Sequence, residues 1–184
     1  MCWNVPIVMP ILCLIAICFT YINIGGYFTY VELAALEDGI EQKRVTSVLT
    51  WASFLTLAGC ALAMLCARFG LFRPLITALF AMFIMVSMLG GGITNLKLTI
   101  SLFVFFSLWT FVDVYQYSMM GYMDRSGSLV AMIPSVQAFG QFVGPNIAAS
   151  ILAAGLGYGV MFIVSSCMAL IAMSIYIGMY RKMG

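Results

Sequence analysis

The chain has 184 residues, of which 64% are hydrophobic and 8% are charged, and its net charge is +2. This composition excludes an ordinary soluble domain, in which roughly a quarter of the residues are charged. The small net charge provides no basic surface for nucleic acid, and the absence of histidine removes the commonest metal ligand and general base. The composition predicts an all-α polytopic membrane protein that binds no metal or other cofactor and lies in a lipid bilayer.

Charged residues divide the chain into six uncharged, apolar stretches that are long enough to be transmembrane helices. No polar stretch is long enough for a soluble domain, so residues 1–184 are expected to form a single six-helix transmembrane domain. Short connections predict that successive helices are antiparallel neighbours. The approximate spans are residues 5–30, 45–67, 74–96, 98–123, 128–153 and 157–180.

Basic residues are divided unequally between the two ends of these helices. An even number of spans places both termini on one side of the membrane. That side holds Arg68, Arg73, Arg125, Arg181 and Lys182, whereas the other side holds Lys43, Arg44 and Lys97. Because lysine and arginine are enriched on the cytoplasmic side, both termini are predicted to be cytoplasmic, in the plasma or inner membrane of the cell.

Asp113 is the one acid predicted to lie near the middle of a span. A charged side chain there costs roughly 3 kcal/mol or more, unless it is paired, hydrated or protonated. No lysine or arginine lies inside a predicted span, so the carboxyl must be protonated, lie in a hydrated cavity, or pair with another chain. Burial favours the protonated form, which suits reversible proton uptake. The simpler alternative is a neutral aspartic acid that makes one structural hydrogen bond.

Aromatic and amide side chains accompany Asp113 and are predicted to line a cavity. On the fourth span they lie three or four positions from Asp113, which places them on its helix face. On the first span they flank the pair Gly25–Gly26. Single amides in a membrane more often join helices than bind a ligand. The predicted cavity set is Asp113, Trp109, Gln116 and Tyr117 on the fourth span, with Asn23 and Tyr27 on the first.

The fifth span is predicted to be a helix-docking element. Its glycines Gly140 and Gly144 are four residues apart, a spacing that lets another helix approach closely. Pro145 has no backbone N–H and crowds the preceding turn, which predicts a bend. Gln137 and Gln141 lie one turn apart and are expected to join the fifth span to a neighbour.

Two other patterns are weak indications of function. The Gly157–Tyr158–Gly159 sequence occurs in potassium filters, but such a filter needs a re-entrant pore helix before it, and here a full span precedes it. A serine–histidine protease is excluded because the chain has no histidine, and an aspartyl pair is absent from the spans. No enzymatic activity is predicted.

Three stretches resemble the C-terminal six-helix half of a major facilitator superfamily transporter. Residues 68–73 resemble the family's cytoplasmic loop motif through Arg68, Gly70 and Arg73, with alanine at Ala63 and Ala67 where the family has glycine and an acid. Residues 124–127 resemble its penultimate cytoplasmic loop, and residues 137–149 resemble its eleventh helix. The resemblance implies a three-plus-three inverted repeat that forms half of the family's helix bundle.

The resemblance also implies secondary active transport of a small organic solute by alternating access, with Asp113 at the cavity as the residue that couples transport to protons. Symport and antiport both stay open. Six helices cannot enclose the family's central cavity, so the chain is expected to be a fragment or a split transporter that works with an N-terminal half or a second copy. The alternative is a non-transporting six-helix membrane protein that binds or scaffolds partners.

Overall fold

The computed structural model describes residues 8–124 and 126–183, and every regular element in these ranges is a helix. The all-helical class predicted from composition is therefore confirmed for this part of the chain. Arg125 and the first three residues of the predicted first span lie outside the described residues. The α-helices are α1 (Val8–Glu37), α2 (Gln42–Phe54), α3 (Thr56–Cys66), α4 (Phe72–Ser87), α5 (Asn95–Met123), α6 (Ile133–Ala153) and α7 (Gly157–Met183).

Five helical segments are long and apolar enough to cross a bilayer, and they indicate an integral membrane protein. These segments are Val8–Glu37, Gln42–Phe69, Phe72–Gly91, Asn95–Met123 and Gly157–Lys182. The remaining long helix, α6, has 21 residues and carries Gln137, Gln141 and Asn146, and it is not among the five. A span at α6, the fifth of the six predicted spans, thus stays a prediction.

Two helix ends differ from the sequence-based boundaries because glycine, and not the first polar residue, ends the helix. α1 continues past residue 30 through the good helix formers of residues 31–37, and the chain turns at Gly39, where φ is +83°. α4 ends earlier than residue 96. A short 3₁₀ segment, Met88–Gly91, follows it, and Gly92 turns the chain with a φ of +87°. Both values lie in the left-handed region that favours glycine.

The second segment is interrupted at Leu55, between α2 and α3, whereas the sequence predicts one continuous span over residues 45–67. Three hydroxyl side chains around the break bond back to backbone carbonyls three or four residues earlier in the chain. Thr50 donates to Thr46 at 2.8 Å, Ser53 donates to Thr50 at 2.6 Å, and Thr56 donates to Ser53 at 2.8 Å. Such back-bonding bends a helix, which explains the interruption.

The helices do not pack in chain order. α1 packs mainly against α6 and α7, α5 packs against α3 and α4, and α4 packs against α7. α1 makes little contact with α2, and α3 makes almost none with α4. The expectation that successive helices are neighbours is therefore wrong for these two pairs and for α5 with α6, which also make almost no contact, because the members of each pair find a better packing surface on another helix.

Two of these helix pairs run parallel. Along the α1–α6 contact, Gly140 lies against Cys18 and Gly144 lies against Ile22. Along the α3–α5 contact, Gly59 lies against Ser107, and the Ala63 carbonyl, one turn later, accepts from Tyr115 at 3.4 Å. The other main pairs, α1 with α7, α4 with α7, and α4 with α5, are antiparallel.

The core lies where α1, α5 and α7 meet. Tyr27 is fully buried there, with its ring centroid 4.1 Å from that of Phe105 and 6.1 Å from that of Phe162. At one end of the bundle the Arg73 guanidinium donates to the Tyr180 hydroxyl at 3.4 Å. At the other end the Ile93 backbone N–H donates to the Asp38 carboxyl at 2.6 Å. These contacts fix α4 to α7 and α1 to the loop before α5.

Candidate functional site

The Asp113 carboxyl is held by an aromatic hydroxyl from another helix. Tyr21 on α1 donates its phenol hydroxyl to Asp113 Oδ1 at 2.6 Å, a length typical of a strong hydrogen bond to a carboxylate. The indole N–H of Trp109, one turn earlier on α5, donates to the same hydroxyl at 3.4 Å. Among the described residues, lysine and arginine lie only at helix ends and in loops. The carboxyl is thus stabilised by hydrogen bonding and not by an ion pair.

A polar surface extends from this carboxyl across α5 to α6. Tyr117, one turn beyond Asp113, is exposed and donates to the Gln137 side-chain carbonyl at 3.4 Å. Gln141 is exposed one turn further along α6, and the Gln137 side-chain N–H₂ is buried with no hydrogen-bond partner among the described residues. We refer to Asp113, Tyr117, Gln137 and Gln141 as the polar face. It offers a half-buried carboxyl, a phenol and the exposed Gln141 amide to whatever lies against it.

The other three predicted cavity residues point into the bundle and join helices. Gln116 donates to the Thr20 hydroxyl at 3.0 Å, Asn23 donates to the Ser165 carbonyl at 2.7 Å, and the Tyr27 hydroxyl lies 2.9 Å from that of Ser101. All three side chains are fully buried. The structure therefore brings Asp113, Trp109 and Tyr117 together with Gln137, and it places Gln116, Asn23 and Tyr27 in the interior.

The glycines of α6 contact α1, in the stretch that carries Tyr21. A Cβ added to Gly140 would lie 2.7 Å from both the Cys18 carbonyl oxygen and Tyr21 Cβ, and one added to Gly144 would lie 2.7 Å from the Gly26 nitrogen. The two backbones can approach this closely only because these residues have no side chain.

The next positions along α6 belong to the same interface with α1. A Cβ on Gly25 would lie 2.9 Å from the Gln141 carbonyl oxygen and 3.2 Å from Pro145 Cδ. All the predicted docking residues except Gln137, which bonds Tyr117, thus contact α1 within this chain. The contact fixes the height and orientation of Tyr21, and so it positions the hydroxyl that binds Asp113.

Arg68, Gly70 and Arg73 form the turn between α3 and α4 and are exposed. The Arg68 guanidinium carbon lies 4.8 Å from the ring centroid of Phe69. Gly70 follows a short 3₁₀ segment, Ala67–Phe69, and Arg73 lies in the first turn of α4. The three residues lie at the same end of the bundle as the loop after α5.

Asp124 organises that loop after α5. Its Oδ1 accepts from the Ser126 hydroxyl at 2.6 Å, and its Oδ2 accepts from the backbone N–H groups of Leu129 and Val130 at 2.7 and 3.0 Å. The Ser126 hydroxyl is the main cause, and the backbone donors are a further cause, of a pKa for this carboxyl below its usual value. The carboxylate therefore holds the loop in its turn before α6.

Tyr21 is the residue of this site that is missing from the predicted cavity set. A single sequence does not pair position 21 with position 113, because the two lie on different helices. A partial signal was available, since Thr20, Asn23 and Tyr27 recur at three- and four-residue spacing and mark one polar face of the first span. Tyr21 borders that face.

Comparison of the chain with protein-family models, with curated proteins and with solved structures finds no match. What the chain does must therefore be inferred from its own residues and their geometry.

Proposed function

We propose that the chain is one six-helix half of a proton-coupled secondary transporter for a small organic solute, which works by alternating access. The observation that carries this proposal is the polar face, on which the Asp113 carboxyl is held by Tyr21. The half-buried Asp113 carboxyl, the exposed Tyr117 phenol and the exposed Gln141 amide would be costly against lipid at mid-helix depth. They are stable against a water-filled cavity, of the kind that a second half of a transporter would complete.

The packing of α6 supports its assignment as the fifth of six spans, although it is not among the five segments that length and composition alone identify. α6 runs parallel to α1 and contacts it from Cys18 to Gly26, so the two helices share the same depth. Gln137 and Gln141 of α6 need not face lipid in a six-span bundle, because they lie on the polar face. Six spans are consistent with both termini on the cytoplasmic side, where the sequence has more basic residues.

The pattern of helix contacts supports a three-plus-three inverted repeat. In such a repeat, α1 corresponds to α5, the α2–α3 segment corresponds to α6, and α4 corresponds to α7. The contact of α1 with α6 then has its counterpart in that of α5 with α3, and the contact of α1 with α7 has its counterpart in that of α5 with α4. The α4–α7 contact is its own counterpart. Both parallel contacts are formed at glycines, which are Gly140 and Gly144 in one and Gly59 in the other.

Asp113 and Tyr21 lie where α1 meets α5, and these are corresponding helices of the two repeats. In transporters built from inverted repeats, substrate and coupling ions bind at the interface between the repeats, near the middle of the membrane. The site of the Asp113–Tyr21 hydrogen bond therefore matches the position at which such a protein would bind its coupling proton.

The chemistry of the site suits a cycle of proton uptake and release. When Asp113 is ionised, its carboxylate accepts a hydrogen bond from the Tyr21 hydroxyl and places a negative charge on the polar face. Proton binding removes that charge and lowers the cost of closing the face against another protein surface. Trp109 and Tyr117 offer aromatic surface, and the exposed Gln141 amide offers an N–H donor. A solute with a flat apolar part and an oxygen acceptor fits this set.

Proton binding by Asp113 can be tested without knowledge of the solute. Purified chain in proteoliposomes is titrated from pH 8 to pH 5 while the infrared carbonyl band of a protonated carboxyl is recorded. We expect Asp113→Asn to lose this band and Asp38→Asn, which changes a carboxyl at the end of the bundle, to retain it. An unchanged band in Asp113→Asn would refute the coupling role.

The transport cycle is tested with both halves present. When the other half is supplied in the same membrane, Asp113→Asn should abolish proton-driven uptake while solute exchange stays measurable. Unchanged proton-driven uptake in this variant would refute the proposed coupling.

A non-transporting scaffold is the second candidate, favoured by the inward position of Gln116, Asn23 and Tyr27, which join helices. Purification separates the two proposals. A stable monomer that neither associates with another six-helix half or a second copy nor responds to solutes would favour the scaffold.

A further inference from the structure

A crevice separates α3 from α4, although the two helices are successive in the chain. Both pack on α5 and not on each other, so a gap is left between them, with a cavity volume of about 400 Å³. Leu62 and Phe69 form one wall, Ala78 and Ala81 form the other, and Leu108 and Phe111 of α5 form the floor. Leu62 and Phe69 are about half exposed, which places the crevice on the outer surface of the bundle.

The crevice runs from the charged end of the bundle into its apolar part. Arg73 and Ala81, which both line it, are eight residues apart on α4, a distance of about 12 Å along the helix axis. An apolar crevice of this length on a membrane-facing surface is unfavourable for water, because water would lose hydrogen bonds there. Hydrocarbon fills it without such a loss. The acyl chain of a lipid has the required shape and polarity.

Basic side chains lie at the outer end of the crevice. Arg73 is exposed and uses one of its five N–H donors in the 3.4 Å contact with Tyr180. Arg68 lies against the ring of Phe69, which is part of the crevice wall. Asp124, the acid in the nearby loop, is bonded to its own loop through Ser126, Leu129 and Val130 and leaves these guanidinium groups free to bind an anion.

From this geometry we propose that the crevice binds one anionic phospholipid of the bilayer. One acyl chain lies between α3 and α4, over Leu108 and Phe111, and the phosphate lies on the Arg73 guanidinium. Arginine suits this role because its planar fork binds two phosphate oxygens at once. The proposal requires only that the bundle lies in a membrane, and it is independent of transport.

Lipid binding is measured on the purified chain by native mass spectrometry. The chain in detergent is titrated with phosphatidylglycerol or phosphatidylcholine that carry identical acyl chains. We expect phosphatidylglycerol to bind about fivefold more tightly, the effect of one well-placed arginine on an anionic headgroup. Arg73→Gln should remove this preference, and Ala81→Phe, which fills the crevice, should weaken binding of both lipids.

Matched variants separate a specific site from general charge attraction. Arg44→Gln removes an exposed arginine from the opposite end of the bundle and should leave the preference intact. Equal binding of the two lipids by the unmodified chain would overturn the proposal, as would an equal loss in Arg73→Gln and Arg44→Gln. If Ala81→Phe does not fold, Thr77→Phe at an exposed position of the same wall replaces it. Unchanged lipid binding with a filled crevice would also overturn the proposal.

Discussion

At the scale of single residues, Tyr21 determines the surroundings of the Asp113 carboxyl. Its hydroxyl is both a donor to Asp113 at 2.6 Å and an acceptor from Trp109 at 3.4 Å, so three side chains from two helices form one hydrogen-bonded chain. A hydroxyl can adapt to either protonation state of a carboxyl, because it donates to the ionised form and accepts from the neutral form. A lysine or arginine in its place would favour ionisation alone.

Asp124 gives a prediction of pH-dependent stability. Its pKa is lowered mainly by the Ser126 hydroxyl and further by backbone N–H groups, so the carboxylate is stabilised more in the folded chain than in the unfolded chain. A lowered folded-state pKa contributes stability that is present above the unfolded pKa of about 4 and is lost as the pH falls through the folded value. We therefore expect Asp124→Asn to be less stable than the unmodified chain at pH 6.

The difference in the free energy of unfolding between the two chains should shrink as the pH falls below about 4. Reversible unfolding in mixed micelles, followed by circular dichroism, measures it. Ser126→Ala should reproduce part of the effect, because it removes the main donor. A difference that stays constant from pH 6 to pH 3 would contradict the assignment.

At the scale of elements, glycines determine which helices come together. Gly140 and Gly144 allow backbone contact between α6 and α1, and Gly59 allows it between α3 and α5. In a membrane the helices gain little from the hydrophobic effect, so close packing of this kind decides their arrangement. The four-residue spacing in the fifth span predicts such a contact, but the sequence alone does not identify α1 as the partner.

Gly144→Ala should separate α1 from α6 and destabilise the bundle. The added methyl group would meet the backbone of Ile22 and Gly26, which cannot move aside as a side chain can, at a cost of roughly 1–3 kcal/mol. Gly178→Ala in α7 is the matched control, because nothing lies within 4 Å of its added Cβ. Unfolding in mixed micelles measures both variants. Equal stability of the two would show that the α1–α6 contact is not close.

The helix boundaries and side-chain orientations show which features of the structure can be predicted from the sequence alone. The ends of α5 and α7 lie close to the predicted boundaries of residues 98–123 and 157–180, because hydrophobicity determines both. The break at Leu55 was not predicted, since it depends on side-chain bonds of Thr50, Ser53 and Thr56 that composition does not reveal. Periodicity placed Trp109 and Tyr117 on the Asp113 face, but the inward orientation of Asn23 depends on Ser165 of α7, far away in the sequence.

At the scale of the whole molecule, the polar face distinguishes one side of the bundle from the others. Large apolar side chains such as Leu57, Phe80 and Ile84 are exposed elsewhere, as expected for contact with lipid. On the polar face, exposed Tyr117 and Gln141 take their place. The bundle therefore has one side suited to water or to a polar partner and others suited to hydrocarbon.

Water should reach the polar face in a membrane. In a background without native cysteines, Gln141→Cys in proteoliposomes is expected to react readily with a water-soluble maleimide. Ile84→Cys, at an exposed apolar position of α4, is the control and should react at least tenfold more slowly, because thiolate formation is disfavoured in hydrocarbon. Mass spectrometry of labelled protein gives both rates. Equally slow labelling at the two positions would place lipid, and not water, against α6.

The parallel contact between α1 and α6 has a consequence for biosynthesis. α1 leaves the ribosome early, but the glycines that cover its Cys18–Gly26 stretch are translated only after α2 to α5, on the order of ten seconds later at ordinary rates of synthesis. During this interval the side of α1 that packs on Gly140 and Gly144 has no permanent neighbour among the described residues, although α5, which holds Tyr21 through Asp113, has already been made. A nascent chain that stalls before α6 therefore exposes this surface to the insertion machinery and to quality-control proteases, which could recognise an incomplete bundle by it.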